Sequence, residues 1–124
     1  FKKTGKGKAK IENAELLFTT QFFTDKYMVK YLVDESLSDF ENGNVQDVVV
    51  IDCASGGGNF LNYSLEKLFS IYKKSFPKWS SEKIVDTILN DAILGYDLDS
   101  NLSKIAALSL FVKASAYAIP SKTT

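Results

Sequence analysis

The chain has 124 residues, of which 45% are hydrophobic and 24% are charged, which suffices for one domain with a packed core. Its 15 basic and 15 acidic residues cancel, so the composition lacks the net positive charge that marks many nucleic-acid-binding domains. Histidine is absent and Cys53 is the only cysteine, which excludes an internal disulfide, a zinc site and Cys-His catalysis.

The first ten residues form a strongly basic end, with five lysines and no acidic residue. Gly5 and Gly7 lie between the lysines. Such a segment is either an arm that contacts phosphate groups or a disordered, solvated chain end, and its composition favours the second interpretation. We therefore expect a flexible end over 1–10 and a single ordered domain over 11–124.

Thr24-Asp25 predicts the start of the first helix, because apolar residues between Tyr27 and Val33 follow at helical spacing. The polar segment 39–46 has no periodicity and predicts a turn. Residues 47–52 then hold four consecutive β-branched apolar residues between two acids. This composition predicts a short strand that is buried on both faces, as parallel sheets require.

Three consecutive glycines, 56–58, end this strand, and apolar residues at helical intervals predict a helix over 60–76. A further helix, with a serine as its cap, is expected over 80–90. Residues 92–97 predict a second short strand, and Asp99 can cap a final helix. Strands that alternate with helices imply right-handed crossovers, so the predicted fold class is α/β, with an open parallel sheet flanked by helices.

The glycine loop, residues 52–61, follows the first predicted strand. In open α/β sheets, ligands bind at this position, where backbone N–H groups and a helix N-terminus face the ligand. A dinucleotide fingerprint would place glycine at Leu61, and a P-loop would need Gly-Lys-Ser/Thr after the turn. Asp52 would repel a phosphate and suits a ligand with a positively charged amino group. Taken alone, the glycines also fit an ordinary tight turn.

A second acid, Asp97, ends the second predicted strand. A carboxylate at the tip of a neighbouring strand can accept hydrogen bonds from both hydroxyl groups of a ribose. If Asp97 points into the cleft, Asp99 lies beyond the strand and suits a helix cap. Alternatively, both acids serve only as turn and cap residues.

Three segments together resemble the adenine-specific DNA methyltransferases of restriction-modification systems, including type I modification subunits and fused restriction-modification enzymes. Residues 52–61 are similar to their loop Asp-Pro-x-Cys-Gly-x-Gly-x-Phe-Leu, and residues 95–99 resemble their Gly-x-Asp/Glu-Ile-Asp-Pro segment. Upstream, residues 20–29 resemble their Gly-Gln-Phe/Tyr-Phe-Thr-Pro segment. The motifs occur in the family's order over about residues 20–113. Four positions depart from the usual Pro or Cys: Asp25, Cys53, Ser55 and Ser100.

The resemblance implies a Rossmann-like methyltransferase fold with S-adenosyl-L-methionine as the cofactor. It assigns cofactor binding to six residues: Phe23, Thr24, Asp52, Gly56, Gly58 and Asp97. Thr24 and the backbone of Phe23 would meet the methionine carboxylate, and Asp52 would orient the methionine amino group. The two glycines would bring the backbone against the cofactor, and Asp97 would hold the ribose.

The family's catalytic motif, Asn/Asp-Pro-Pro-aromatic, does not occur here, because the only prolines are Pro77 and Pro120. We therefore expect the cofactor-binding half of the enzyme, inactive alone, with neither catalytic nor metal-binding residues. The intact enzyme would methylate the exocyclic amino group of adenine. Its expected partners are double-stranded DNA and restriction or specificity subunits.

Two further classes of function stay open, namely a methyltransferase of this fold that acts on RNA or protein, and a non-catalytic α/β interaction module. A nicotinamide oxidoreductase is the weakest alternative, because of Leu61 and Asp52. No apolar run approaches the roughly 20 residues of a membrane helix, so we expect a cytoplasmic protein without a membrane partner.

Overall fold

Two parallel strands and four α-helices follow one another between residues 24 and 120, the part of the chain that this computed structural model describes continuously. Of the preceding residues, the structure describes two short strands at 2–4 and 8–10. The described residues form a mostly helical α/β fold, in which a small two-stranded parallel sheet packs against helices. This finding confirms the predicted α/β class.

The two N-terminal strands, β1 (Lys2–Thr4) and β2 (Lys8–Lys10), pair in antiparallel orientation. In their register, Lys2 lies opposite Lys10. The sequence favours a disordered end here, because lysine and glycine carry no hydrophobic periodicity from which strands can be predicted. The hairpin is therefore an element that the sequence pattern does not reveal.

Helix α1 (Lys26–Leu37) begins directly after Asp25, as predicted. Asp25 has extended backbone geometry and makes no side-chain capping hydrogen bond. The buried residues of α1 lie four positions apart: Val29, Val33 and Leu37. Tyr27 and Tyr31 follow the same helical spacing but lie exposed, so the buried stripe of α1 is narrower than its apolar sequence.

The parallel sheet consists of β3 (Val50–Asp52) and β4 (Ile93–Gly95), and helix α2 (Asn59–Ser75) packs against both strands. The expectation that the first strand is buried on both faces is wrong. Ile51 is 56% exposed, and Leu94, its partner in the register, is 43% exposed. Side chains alternate between the faces of a sheet, and the described helices leave the face with these residues uncovered.

Helix α2 is the centre of the core. Its buried apolar residues recur at steps of three and four: Leu61, Leu65, Leu68, Ile71 and Tyr72. Each such side chain contributes about 1.5–3 kcal/mol when fully buried. Helices α1 and α4 (Ser100–Ser115) pack against α2. The helix ends one residue before Phe76-Pro77, as predicted, because a residue that precedes proline disfavours helical geometry.

Helix α3 (Ser81–Thr87) begins at the predicted cap, where Ser80 Oγ accepts the N–H of Lys83 at 3.2 Å. It continues into a π-helical segment, Ile88–Ala92, which leads directly into β4. Asp99 caps α4, so both predicted caps are confirmed. Within the described part of the chain, no helix has both the length and the apolar character needed to cross a membrane.

Candidate functional site

Backbone hydrogen bonds tie the glycine loop to the end of β4. The N–H of Tyr96 donates to the Asp52 carbonyl at 2.8 Å, and the N–H of Ser55 donates to the Tyr96 carbonyl at 2.9 Å. The hydrogen-bonding pattern of the parallel strands therefore extends beyond β3 and β4. As a result, the loop lies beside the residues that follow β4, among them Asp97.

The loop needs glycine at two positions, because Gly56 and Gly58 have φ values of +50° and +88°. These are left-handed conformations, which other residues adopt only with strain. The N–H of Gly58 donates to the Ser55 carbonyl at 2.8 Å and closes the turn. The Gly58 carbonyl then accepts the N–H of Asn62 at 2.8 Å, so the turn leads directly into α2.

The two glycines differ in what surrounds them. A Cβ atom at Gly56 would meet no described atom within 4 Å, so this part of the loop borders open space. A Cβ atom at Gly58 would lie 3.1 Å from the Cα and Cβ atoms of Ala106 on α4. Gly56 is therefore the glycine where a ligand can approach the backbone, whereas Gly58 allows α4 to pack closely.

Asp97 connects the end of the second strand to the glycine loop. Its Oδ2 accepts the N–H of Gly56 at 2.8 Å, and its Oδ1 accepts the N–H of Asp99 at 2.9 Å. Both hydrogen bonds lower the pKa of the Asp97 carboxyl, because they stabilise its charged form. The bond from Asp99 contributes most, and the bond from Gly56 contributes next. A carboxylate has about four acceptor sites, so each oxygen can still accept a bond from a ligand.

Asp99 has the structural role that its position predicts. Its Oδ1 accepts the N–H of Asn101 at 2.8 Å and that of Leu102 at 3.4 Å, in the first turn of α4. These bonds satisfy helix donors that lack a partner within the helix. Asp97 therefore bonds to the loop and to the backbone of Asp99, whereas Asp99 caps the helix, as its position predicts.

Asp52 presents an unsatisfied oxygen. Its Oδ1 accepts the N–H of Ala54 at 3.1 Å, whereas its Oδ2 is buried and has no hydrogen-bond partner among the described residues. Asp52 also lines a cleft of about 270 Å³ between α1 and β3, together with Ser36, Phe60 and Ser64. A buried carboxylate oxygen without a donor is costly, because no hydrogen bond replaces its lost hydration.

Thr24 lies in a different groove. This groove has a volume of about 370 Å³ and is lined on its other side by Asn59 and Asn62, from the first turn of α2. The structure therefore places Thr24 beside the helix that follows the loop, and it does not bring Thr24 into the cleft of Asp52. Phe23 lies outside the described residues. The geometry thus joins Asp52, the two glycines and Asp97 in one loop region, with Thr24 next to it.

Sequence reasoning missed the roles of Asn62 and Gly95. Asn62 Oδ1 is buried and lacks a partner among the described residues, while its Nδ2 donates to Ser109 Oγ at 2.6 Å. A Cβ atom at Gly95 would lie 2.5 Å from Leu61 Cδ1, so glycine on the strand makes room for leucine on the helix. The available signal for Gly95 was its place as the glycine that opens the segment 95–99.

The acids at the loop have no lysine partner among the described residues. The ion pairs of the described chain lie elsewhere: Lys30–Asp34, Lys67–Asp34, Lys67–Glu41 and Lys113–Glu66. Asp52 and Asp97 therefore create a negative potential at the loop, which favours amino and hydroxyl groups and disfavours phosphates.

Comparison with protein-family models finds no match for this chain, and comparison with curated proteins likewise finds none of significance. The function is therefore inferred from the residues of the loop region and their geometry.

Proposed function

We propose that this chain contains the S-adenosyl-L-methionine-binding part of an adenine-specific DNA methyltransferase of the restriction-modification type, with a partial Rossmann-like methyltransferase fold. The observation that carries the proposal is the hydrogen bond of 2.8 Å between Asp97 Oδ2 and the N–H of Gly56. It brings the second acid against the glycine loop, at the carboxyl ends of two adjacent parallel strands, where ligands of open α/β sheets bind.

The polar groups of the loop region suit the cofactor at several points. Asp52, whose Oδ2 has no partner among the described residues, would orient the methionine amino group, and Asp97 would accept the ribose hydroxyls. The open space at Gly56 would admit the cofactor against the backbone. Thr24 and the backbone of Phe23 would meet the carboxylate, as in the family that the motifs resemble.

The proposed work of these residues is to bind and orient. When bound, S-adenosyl-L-methionine supplies an electrophilic methyl group on a sulfonium centre. The 124 residues contain no Asn/Asp-Pro-Pro-aromatic motif to hold an adenine, so we assign cofactor binding and no catalytic residue to this chain. Methyl transfer, duplex DNA and any restriction or specificity subunits belong to the proposed whole enzyme.

A second candidate function is that of a non-catalytic α/β module that binds other proteins. The uncovered sheet face supports this function, because exposed apolar patches often mark protein interfaces. The exposed apolar side chains on this face are Val49, Ile51, Leu94 and Tyr96. A methyltransferase that acts on RNA or protein would share the cofactor site. Cofactor binding therefore separates the interaction module from the methyltransferases. The molecule that is methylated, whether DNA, RNA or protein, then separates the methyltransferases from one another.

The test of the proposed function is a ligand titration of the ¹⁵N-labelled chain, followed by NMR. We expect S-adenosylhomocysteine at millimolar concentration to shift the amide signals of Gly56 and Asp97. ATP and NAD serve as matched controls with the same adenosine part, and the negative loop should disfavour their phosphates. Glycine-loop signals that stay unchanged with S-adenosylhomocysteine, or respond equally to ATP, would contradict the proposal.

A further inference from the structure

The N-terminal hairpin carries a high density of positive charge. Its strands β1 and β2 provide six paired positions, and four of them are lysine: Lys2, Lys3, Lys8 and Lys10. The other two positions are Thr4 and Ala9. The structure thus turns a basic run of sequence into a basic two-stranded ribbon.

The register concentrates these lysines. Lys2 lies opposite Lys10, and Thr4 lies opposite Lys8. Cross-strand partners, and residues two apart on one strand, occupy the same face of a hairpin, so three lysine positions share one face. Residues 1–10 contain no acid to offset this positive charge.

The charge of the chain is divided in the same way. Residues 1–10 hold five of the 15 basic residues and none of the 15 acidic ones, so residues 11–124 carry a net charge of −5. The larger part of the chain therefore repels a polyanion on average, and the N-terminal end carries the excess of positive charge. The net charge of zero hides this separation.

We propose that the β1–β2 hairpin binds the phosphate backbone of duplex DNA. A two-stranded ribbon fits the major groove, which is about 12 Å wide, and duplex DNA carries one negative charge per about 1.7 Å of its axis. The choice of DNA among polyanions rests on the proposed function. The basic ribbon and the charge separation do not depend on the cofactor site.

Two triple variants with equal charge test this proposal. Lys2, Lys8 and Lys10 are changed to glutamine in one, and the exposed lysines Lys74, Lys78 and Lys104 in the other, so each has a net charge of −3. Fluorescence anisotropy with a duplex, without cofactor, measures affinity between 50 and 200 mM salt. We expect the hairpin variant to reduce the magnitude of the negative slope of log K against log salt by about 2.7, at about 0.9 per lost phosphate contact.

Over this fourfold range of salt, such a difference amounts to about a 40-fold change in affinity. The control variant should keep most of the wild-type slope. A third variant with arginine at Lys2, Lys8 and Lys10 should restore it, because arginine keeps the charge. Equal slopes in the two glutamine variants would overturn the proposal, as would lysine-dependent binding to phosphatidylserine vesicles or duplex RNA but not to DNA.

The two proposals fail separately. DNA binding is measured without cofactor, and the hairpin variant should leave the NMR response to S-adenosylhomocysteine unchanged. DNA binding that is absent in the wild-type chain, or that does not depend on the hairpin lysines, would refute the hairpin proposal alone, whereas an absent cofactor response would refute the proposed function alone.

Discussion

At the scale of single residues, Asp97 and Asp99 are two acids, two positions apart, whose contacts predict different consequences. Asp97→Ala should weaken cofactor binding to the proposed enzyme about 10- to 150-fold, because charge-assisted hydrogen bonds worth about 1.5–3 kcal/mol are lost. Asp99→Ala should leave affinity nearly unchanged and lower the free energy of unfolding by about 1 kcal/mol, as the cap of α4 is lost. Titration calorimetry measures the cofactor affinity of both variants, and urea denaturation measures their free energy of unfolding. If Asp97→Ala bound the cofactor as tightly as Asp99→Ala, Asp97 would not belong to the site.

The same side chain predicts a pH dependence. The pKa of Asp97 is lowered in the folded chain by the N–H groups of Asp99 and Gly56, so its stabilising contribution is present above the ordinary aspartate pKa of about 3.9. It is lost as the pH falls through the lower, folded pKa. We expect the Gly56 amide signal to titrate below the ordinary value in an NMR pH series. In Asp97→Asn this transition should disappear; its persistence would assign it to another group.

The two left-handed glycines form a second pair. Gly56→Ala should cost about 1 kcal/mol of stability, because alanine adopts the left-handed conformation only with strain. It should also impair cofactor binding, because the new Cβ atom would project into the open space where the cofactor is proposed to lie. Gly58→Ala should cost about 2 kcal/mol or more, because Ala106 lies 3.1 Å from the new Cβ. Gly58→Val should cost still more, because its larger side chain meets the same atoms of Ala106. Thermal denaturation compares the two alanine variants, and equal stability would contradict the distinction.

At the scale of elements, the sequence predicts whatever depends on local signals. The caps Ser80 and Asp99, and the end of α2 before Pro77, follow from groups within a few residues of each other, and all three are confirmed. The sheet is also predictable, because two apolar runs separated by helices favour parallel pairing. This topology also predicts part of the candidate site, because the carboxyl ends of adjacent parallel strands bring the glycine loop, with Asp52, close to Asp97.

What the sequence does not predict depends on the surroundings of each element. Tyr31 and Val33 have similar apolar signals in α1, but only Val33 is buried, because burial depends on where the neighbouring helices pack. The Asp97–Gly56 hydrogen bond joins residues 41 positions apart and depends on the detailed shape of the loop. The β1–β2 hairpin is likewise not predicted, because its strands are defined by pairing with each other and not by a pattern within either segment.

At the scale of the whole molecule, the uncovered sheet face predicts self-association. Parallel sheets are usually covered on both faces, and here Ile51 and Leu94 lie exposed as neighbours. We expect sedimentation velocity to show concentration-dependent association of the chain. The double change Ile51→Thr and Leu94→Thr should reduce it, whereas Leu98→Thr with Ile119→Thr, also exposed, should not. Equal association of both variants would place the contact elsewhere.

The proposed cofactor site also predicts the chemical activity of the whole chain. The residues proposed to bind the cofactor would cover its amino-acid and ribose ends: Phe23, Thr24, Asp52, Gly56 and Asp97. Methyl transfer also needs an adenine held in line with the methyl group, and the 124 residues lack the Asn/Asp-Pro-Pro-aromatic motif for this purpose. We therefore expect the chain to bind S-adenosyl-L-methionine weakly and to transfer no methyl group to DNA.

Incubation of the purified chain with cofactor labelled in its methyl group and adenine-containing duplex DNA measures this directly. We expect no labelled N6-methyladenine above the level found with Asp97→Ala, which serves as a matched control from the same purification. Methylated adenine formed by the wild-type chain but not by this variant would show that the chain itself holds the target base. The assignment of no catalytic residue to these 124 positions would then be wrong, although Asp97 would keep its place in the cofactor site.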